Sequence, residues 1–366
     1  MPSINRRAAL GTITSGIGAG IAGCLGGNGD VDELIHLGFG GTLQDGREEV
    51  AEAWTEESGI EVVHEAAAGA EEYMTMIEQN PETYDVVTSN DEFFHRAGAE
   101  GLLQPVDLDL VPNFVENTFD DTRNPDALPI AFNDDGEQHM LLRETVTTGF
   151  AYNSEIAEEE HTSWEALLRE EYDGHVSLLN RPHYRYTNAA LALGLDFYEA
   201  IEDEDQMQEI EELLVEQNEQ TFNYFQAADT MMQQLRNEEA HISEAWCGRI
   251  LSLQEEGHDH IEYVIPDEGL VVGIDATGIP ANADEDNLEH IHDYLNFQYR
   301  EESLETFPQY TNYPTPMANP PEEISSLPGW ADDLADFAIT DYEALDPHHE
   351  DIIERFELIR SGDYEP

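Results

Sequence analysis

What most constrains this chain is an alternation of short apolar runs with amphipathic ones that begins at Glu33 and repeats downstream. Leu34-Ile35-His36-Leu37 predicts a strand, Arg47 to Ser58 an amphipathic helix, and Ile60-Glu61-Val62-Val63 a second strand. Tyr84-Asp85-Val86-Val87-Thr88 predicts a third strand and Glu92 to Glu100 a helix, and Gly149 to Asn153 a strand leading into a helical Trp164 to Glu170. This order implies the α/β class, with parallel sheets covered by helices on both faces. Ligands of such sheets bind outside the carboxyl ends of the strands. Between Glu199 and Gln217, Met207, Ile210, Leu213 and Leu214 recur at helical spacing among acids, predicting an exposed helix with one buried stripe. The tail from Pro320 keeps Trp330, Leu334, Phe337, Ile352, Ile353 and Phe356, which predicts docked helices.

At 366 residues the chain is longer than one usual domain, so two globular lobes are expected. Hydrophobic residues at 40% suffice for ordinary cores, which leaves the charge on the surface. That charge is one-sided: 81 Asp and Glu oppose 14 basic residues, all of them Arg. Such a surface repels itself in dilute solution and is screened in about 1 M salt, where the Debye length is roughly 3 Å. The pattern reads as adaptation to high ionic strength, as in a salt-loving prokaryote. An acidic protein for cations or basic partners would gather its acids in tails or patches, whereas here they run from Asp30 to Glu365. Nucleic acid is excluded as a partner, because phosphate neutralisation needs clusters of Lys or Arg.

The N-terminus reads as an address and an anchor. Asn5-Arg6-Arg7-Ala8-Ala9-Leu10 resembles a twin-arginine export signal, and Ala8 to Gly23 is too short and small-residued to span a bilayer. Ile21-Ala22-Gly23-Cys24 resembles a lipobox, with Cys24 as the site of lipid attachment. Residues 1–23 would then be the export signal and 24–32 a flexible tether. A disulfide between Cys24 and Cys247 does not fit an anchored Cys24.

Several further blocks occur in order. They are Tyr84 to Glu92 followed by Gly101-Leu102-Leu103-Gln104-Pro105, then Thr148 to Asn153, Trp164 to Leu168, Glu244-Ala245-Trp246, Ile261 to Pro266 with Glu268-Gly269, Ile274-Asp275 through Ile279 to Ala283, and Tyr313-Pro314-Thr315-Pro316. The ordered set resembles spermidine/putrescine-binding proteins from about Leu34 to Pro316. The resemblance implies an α/β, two-lobed periplasmic-binding-protein fold (type II) with the ligand in a cleft between lobes. The chain would cross between lobes twice, near Thr147 to Phe150 and near Gly273 to Ile279. Lobe 1 would hold residues 33–147 plus 277–316, and lobe 2 residues 148–276 plus 317–366.

By the same resemblance, Asp275 falls where the family places a carboxylate for a ligand amine, Trp246 on a site tryptophan suited to cation–π stacking, and Tyr313 on a tyrosine that reaches the cleft. Asn90 and Glu92 occupy contact positions that polyamine binders fill with a hydroxyl residue and a tyrosine. Arg181 and Tyr184 stand where those proteins carry two acids, and Gly273 and Thr42 where they carry two tryptophans. A guanidinium beside a diammonium ligand is repulsive. The loop Gly38-Phe39-Gly40-Gly41-Thr42-Leu43-Gln44-Asp45 is similar to a Gly-Gly-x-x-Gln-Asp loop of relatives grouped with polyamine, phosphonate and iron binders, and its backbone N–H groups suit anions. It serves equally as an ordinary tight turn, and Arg181 equally as the partner of a surface acid.

The implied function is that of an extracytoplasmic, lipid-anchored, monomeric substrate-binding protein. It captures a small amine-bearing solute such as spermidine or putrescine and delivers it to ABC permease subunits. The same role for a zwitterion, phosphonate, thiamine or ferric iron is an alternative, as is an exported hydrolase or metalloenzyme. Against the enzyme, no Gly-x-Ser-x-Gly, phosphate loop or dinucleotide fingerprint occurs. His258-Asp259-His260, Glu289-His290-Ile291-His292 and His348-His349-Glu350-Asp351 lack zinc-protease spacing and read as solvated surface, Cys247 reads as a packed thiol, and no cofactor or metal is expected.

Overall fold

A computed structural model describes residues 31–67, 69–331, 334 and 337–365. The expected export signal and Cys24 lie outside the described residues, as does most of the tether. Among the described residues there are eleven strands: β1 (Glu33–Phe39), β2 (Glu61–Ala67), β3 (Val86–Asn90), β4 (Leu103–Gln104), β5 (Leu141–Asn153), β6 (Val176–Leu179), β7 (Thr221–Phe225), β8 (Ile242–Trp246), β9 (Ile261–Val264), β10 (Val271–Pro280) and β11 (Ala338–Ile339). They join in one curled sheet of order β2-β1-β3-β10-β5-β8-β6-β7, with β4 and β11 on β10 and β9 on β5.

The parallel pairing expected from the alternation holds at both ends of this sheet. β1 runs parallel to β2 and β3, and β6 runs parallel to β7 and β8. The centre departs from it: β10 is antiparallel to β3 and to β5, and β5 is antiparallel to β8 and β9. Every residue of β10 is buried, and its Val271, Val272, Ile274 and Ile279 are β-branched side chains suited to a strand covered on both faces. β5 is similarly buried along its length except at Val146, which is half-buried. These two long strands join the two halves of the sheet, since β10 pairs with β3 through Asp275–Gly278 while β5 pairs with β8 through Thr148–Tyr152.

Three helical expectations shift. The helix expected from Arg47 starts at Thr42, after Gly41 turns the chain at φ 69°, and ends at Ser58 on a left-handed Gly59. Gly46 interrupts the apolar stripe because a Cβ there would stand 3.0 Å from the Phe307 ring. Trp164 to Glu170 is not an α-helix but a 3-10 turn at Trp164–Leu168, followed by another at Glu170–Tyr172. The acidic helix divides into Phe197–Ala200 and Glu204–Gln220, the second capped by Asp203 Oδ1, which accepts from Asp205 N at 3.0 Å and Gln206 N at 3.2 Å.

Of that helix's stripe, Met207, Ile210 and Leu214 are buried, and Leu213 is half-buried. The C-terminal helix His349–Ser361 docks Ile352, Phe356 and Ile359 into the same cluster, while Ile353 stays exposed. Glu211 fastens the contact: buried itself, it accepts from Tyr186 OH at 3.1 Å, from Arg355 Nη1 at 3.2 Å, and from Tyr364 OH.

Candidate functional site

Strand ends and helix starts meet around Asp275. β3 finishes at Asn90, whose Oδ1 accepts from Phe93 N at 3.1 Å and so caps the helix Asp91–Ala99. Asp91 and Glu92 therefore occupy its first turn, where the positive end of the helix dipole favours carboxylates. From the other end of the sheet, β6 delivers Arg181 at the start of the helix Pro182–Ala192. Arg181 Nη2 donates to Glu92 Oε2 at 3.1 Å and lies 3.7 Å from Asp91 Oδ1, while its guanidinium stacks 4.2 Å above the Tyr184 ring. Burial opposes the charge of Arg181, but Tyr184, Asp91 and Glu92 outweigh it and hold the group above its ordinary range.

Asp275 is 8% exposed and faces Asn90 across the β10–β3 ladder. Glu144 faces it from β5 on the other side. Burial raises both carboxyls above the usual range. Trp246, at the end of β8, meets Phe225 edge-on at 5.7 Å and packs against a cluster of Leu43, Cys247, Phe307 and Tyr313. Thr42 opens its helix and accepts a 2.8 Å bond from Arg249 Nη1. Beside that bond lies a pocket of about 340 Å³ lined by Thr42, Asp229, Met232, Arg249 and Ser252. Gly273 is required by Tyr184, whose hydroxyl would stand 2.7 Å from an added Cβ.

The structure thus gathers Asn90, Glu92, Arg181, Tyr184 and Asp275 in one group, with Trp246 and Tyr313 in an adjoining aromatic cluster and Thr42 joined through Arg249. Sequence reasoning missed Asp91, Glu144, Arg47 and Arg249 as members of this region. Asp91 lay inside the recognised block, so its wholly buried state needed only the helix start to be placed. Arg47 was read as a helix residue, yet it is 2% exposed and donates from Nη2 to Phe39 O, lying where Gly38 has no side chain.

Among the buried polar atoms here, Arg47 Nε and Nη1 and Tyr184 OH have no hydrogen-bond partner within the protein. Such atoms are costly unless a polar ligand or water meets them, which suits a site for a small polar solute. Among the described residues no group of three or more His, Cys, Asp and Glu could hold a metal ion. Of the histidines singled out in the sequence, His292 takes a structural part, with Nε2 accepting from Asp107 N at 3.1 Å.

The family model for bacterial extracellular solute-binding proteins matches residues 49–335. None of the curated proteins matches the chain. Among solved structures, the spermidine/putrescine ABC transporter substrate-binding protein PotD from Streptococcus pneumoniae is 20% identical at a TM-score of 0.75, over 90% of this chain and 99% of its own. The Tp0655 (TpPotD) lipoprotein of Treponema pallidum is 16% identical at 0.71, over 88% and 99%. The PBP AgtB from A. tumefacien R10, in complex with agropinic acid, is 16% identical at 0.69, over 91% and 100%. At such identities the likeness is one of fold, and the fold is α/β of the two-lobed periplasmic-binding-protein type. With a family model spanning residues 49–335, the chain belongs to the bacterial extracellular solute-binding proteins.

Proposed function

We propose that this protein is the substrate-capturing component of an ABC importer for a small amine-bearing solute, of which spermidine and putrescine are the first candidates. One observation carries the ligand class: Asp275, Glu144 and Asp91 are buried carboxyls, with Asp275 near both of the others and near Tyr313, which packs with Trp246. Carboxylates supply the counter-charge for an ammonium, and aromatic faces accept its alkyl chain. The repulsion expected from Arg181 is answered by its ion pairs with Glu92 and Asp91, which leave Asp275 to the ligand. Two of the similar structures are of proteins named for spermidine and putrescine, in keeping with this reading.

In this reading Cys24 carries the lipid after a twin-arginine signal is removed, and a monomer works outside the cytoplasm at a salty surface. Lobe 1 holds residues 33–147 plus 277–316, and lobe 2 residues 148–276 plus 317–366. On those bounds the Arg181–Glu92 and Arg249–Thr42 bonds both bridge the lobes, as a closed form competent to meet a permease requires. A second reading, a zwitterion or carboxylate-bearing ligand, is favoured by the unpartnered N–H groups of Arg47.

A thermal-shift screen of the mature protein in molar salt separates these readings. A ligand at about 100 times its dissociation constant adds about 2.7 kcal/mol of stability. Putrescine or spermidine should raise the melting temperature, and Asp275→Ala should abolish the shift. A shift confined to amino acids or opine-like acids would select the second reading. Full affinity in Asp275→Ala would overturn the placement of the site.

A further inference from the structure

Glu144 and Asp275 are direct partners across the antiparallel β5–β10 ladder. Residues opposite one another in such a ladder point to the same face with Cβ atoms about 5 Å apart, and like charges in that position oppose each other. Here the two acids are 1% and 8% exposed, so water does little to separate their charges. The ladder also shifts register right after this pair: Asp275 meets Glu144 while Ala276 meets Leu142, leaving Arg143 as the extra residue of a bulge. Arg143 is held aside, donating to Gln298 O at 3.1 Å and lying 4.4 Å over the Phe307 ring. Arg47, the other nearby cation, is turned to Phe39 O. Glu144 turns instead to Asp275, with which it forms a side-chain hydrogen bond.

Two facing carboxyls in so dry a place hold a proton between them more cheaply than they hold two charges. The surrounding charges divide on the point. Around Glu144, burial and Asp275 raise the carboxyl while Arg143 and Arg47 lower it. Around Asp275, burial and Asp91 raise it while Arg181, Arg47 and Arg249 lower it. In both cases the raising influences win.

We propose that Glu144 is a ligand-binding residue, and that it and Asp275 share one proton which the ligand's ammonium group displaces on binding. This rests on the amine-bearing reading above. The step balances: the O–H bond of the shared proton breaks, the proton leaves to solvent, and the ammonium donates N–H bonds to both carboxylates. One positive charge enters as another departs, so the buried charge is unchanged and the cation finds two acceptors already in place. Affinity for the amine then rises with pH until the pair is fully ionised in the free protein, at about tenfold per pH unit while one proton is exchanged.

Calorimetric titration of the mature protein with putrescine, in molar salt near neutral pH and in phosphate and Tris buffers, reads the proton directly. The heats should differ by the buffers' ionisation enthalpies times about one proton released per ligand. Glu144→Gln should bind more weakly, give the same heat in both buffers and lose the pH dependence. Infrared difference spectra of the unliganded protein should show a protonated-carboxyl band that Glu144→Gln removes. Binding with heats independent of buffer in the unmodified protein would overturn the proposal, as would absence of the band. If neither putrescine nor spermidine binds, the amine reading falls and displacement falls with it, while the band still decides whether the pair shares a proton.

Discussion

Gly248 has no room for a side chain. A Cβ there would run into Thr311 O and stand 2.8 Å from Cε1 of Tyr313, so the helix Cys247–Glu255 touches the Tyr313 segment through bare backbone. Gly248→Ala should therefore cost about 1–3 kcal/mol in urea unfolding. It should also weaken ligand binding, because Trp246 and Tyr313 flank the same contact. At this scale the sequence matched Asp275, Trp246 and Tyr313 to family positions, and the structure packs Trp246 with Tyr313 and sets Asp275 close to Tyr313. Glu144 was not legible, since its importance comes from the strand residue opposite it, and register is set by folding rather than written along the chain. Arg181 shows a different limit: its identity was plain, but its ion pairs with Glu92 and Asp91 depend on two segments 89 residues apart meeting in space.

Single elements followed local chemistry where pattern and tertiary contact agreed. The strands β1, β2 and β3 and the helix Asp91–Ala99 arise within a few residues of where the alternation puts them. The mixed sheet did not follow, because strand direction in the centre depends on which distant strand lies alongside. Nor did the start of the helix at Thr42, where Gly46 masks the stripe to make room for Phe307. The C-terminal helix is the clearest case of agreement, with an apolar stripe readable in the sequence and a docking place on the helix Glu204–Gln220. Phe356 is fully buried in that contact, so Phe356→Ala should cost about 3–5 kcal/mol in urea unfolding. A change below about 1 kcal/mol would mean the helix contributes little to stability.

For the whole molecule, a formal charge of −67 sets the conditions of folding. Raising potassium chloride from dilute to molar concentration should raise the melting temperature steeply and then level off once the Debye length falls to a few ångströms. A flat response would remove the case for adaptation to salt. Against that background the placement of the cations is telling, since Arg47, Arg143, Arg181 and Arg249 all stand around the candidate cleft. Cys247 lies in the same region, fully buried against Leu43, Phe307 and Tyr313, with its thiol pushed up to about 11 by burial. It is the one cysteine among the described residues, so a thiol reagent has a single internal target that it meets only when the packing around Leu43, Phe307 and Tyr313 opens. Alkylation of Cys247 should be slow in the free protein and slower by about the occupancy ratio when ligand is present. The rate of a simple chemical labelling thereby becomes a clock for how often the molecule opens.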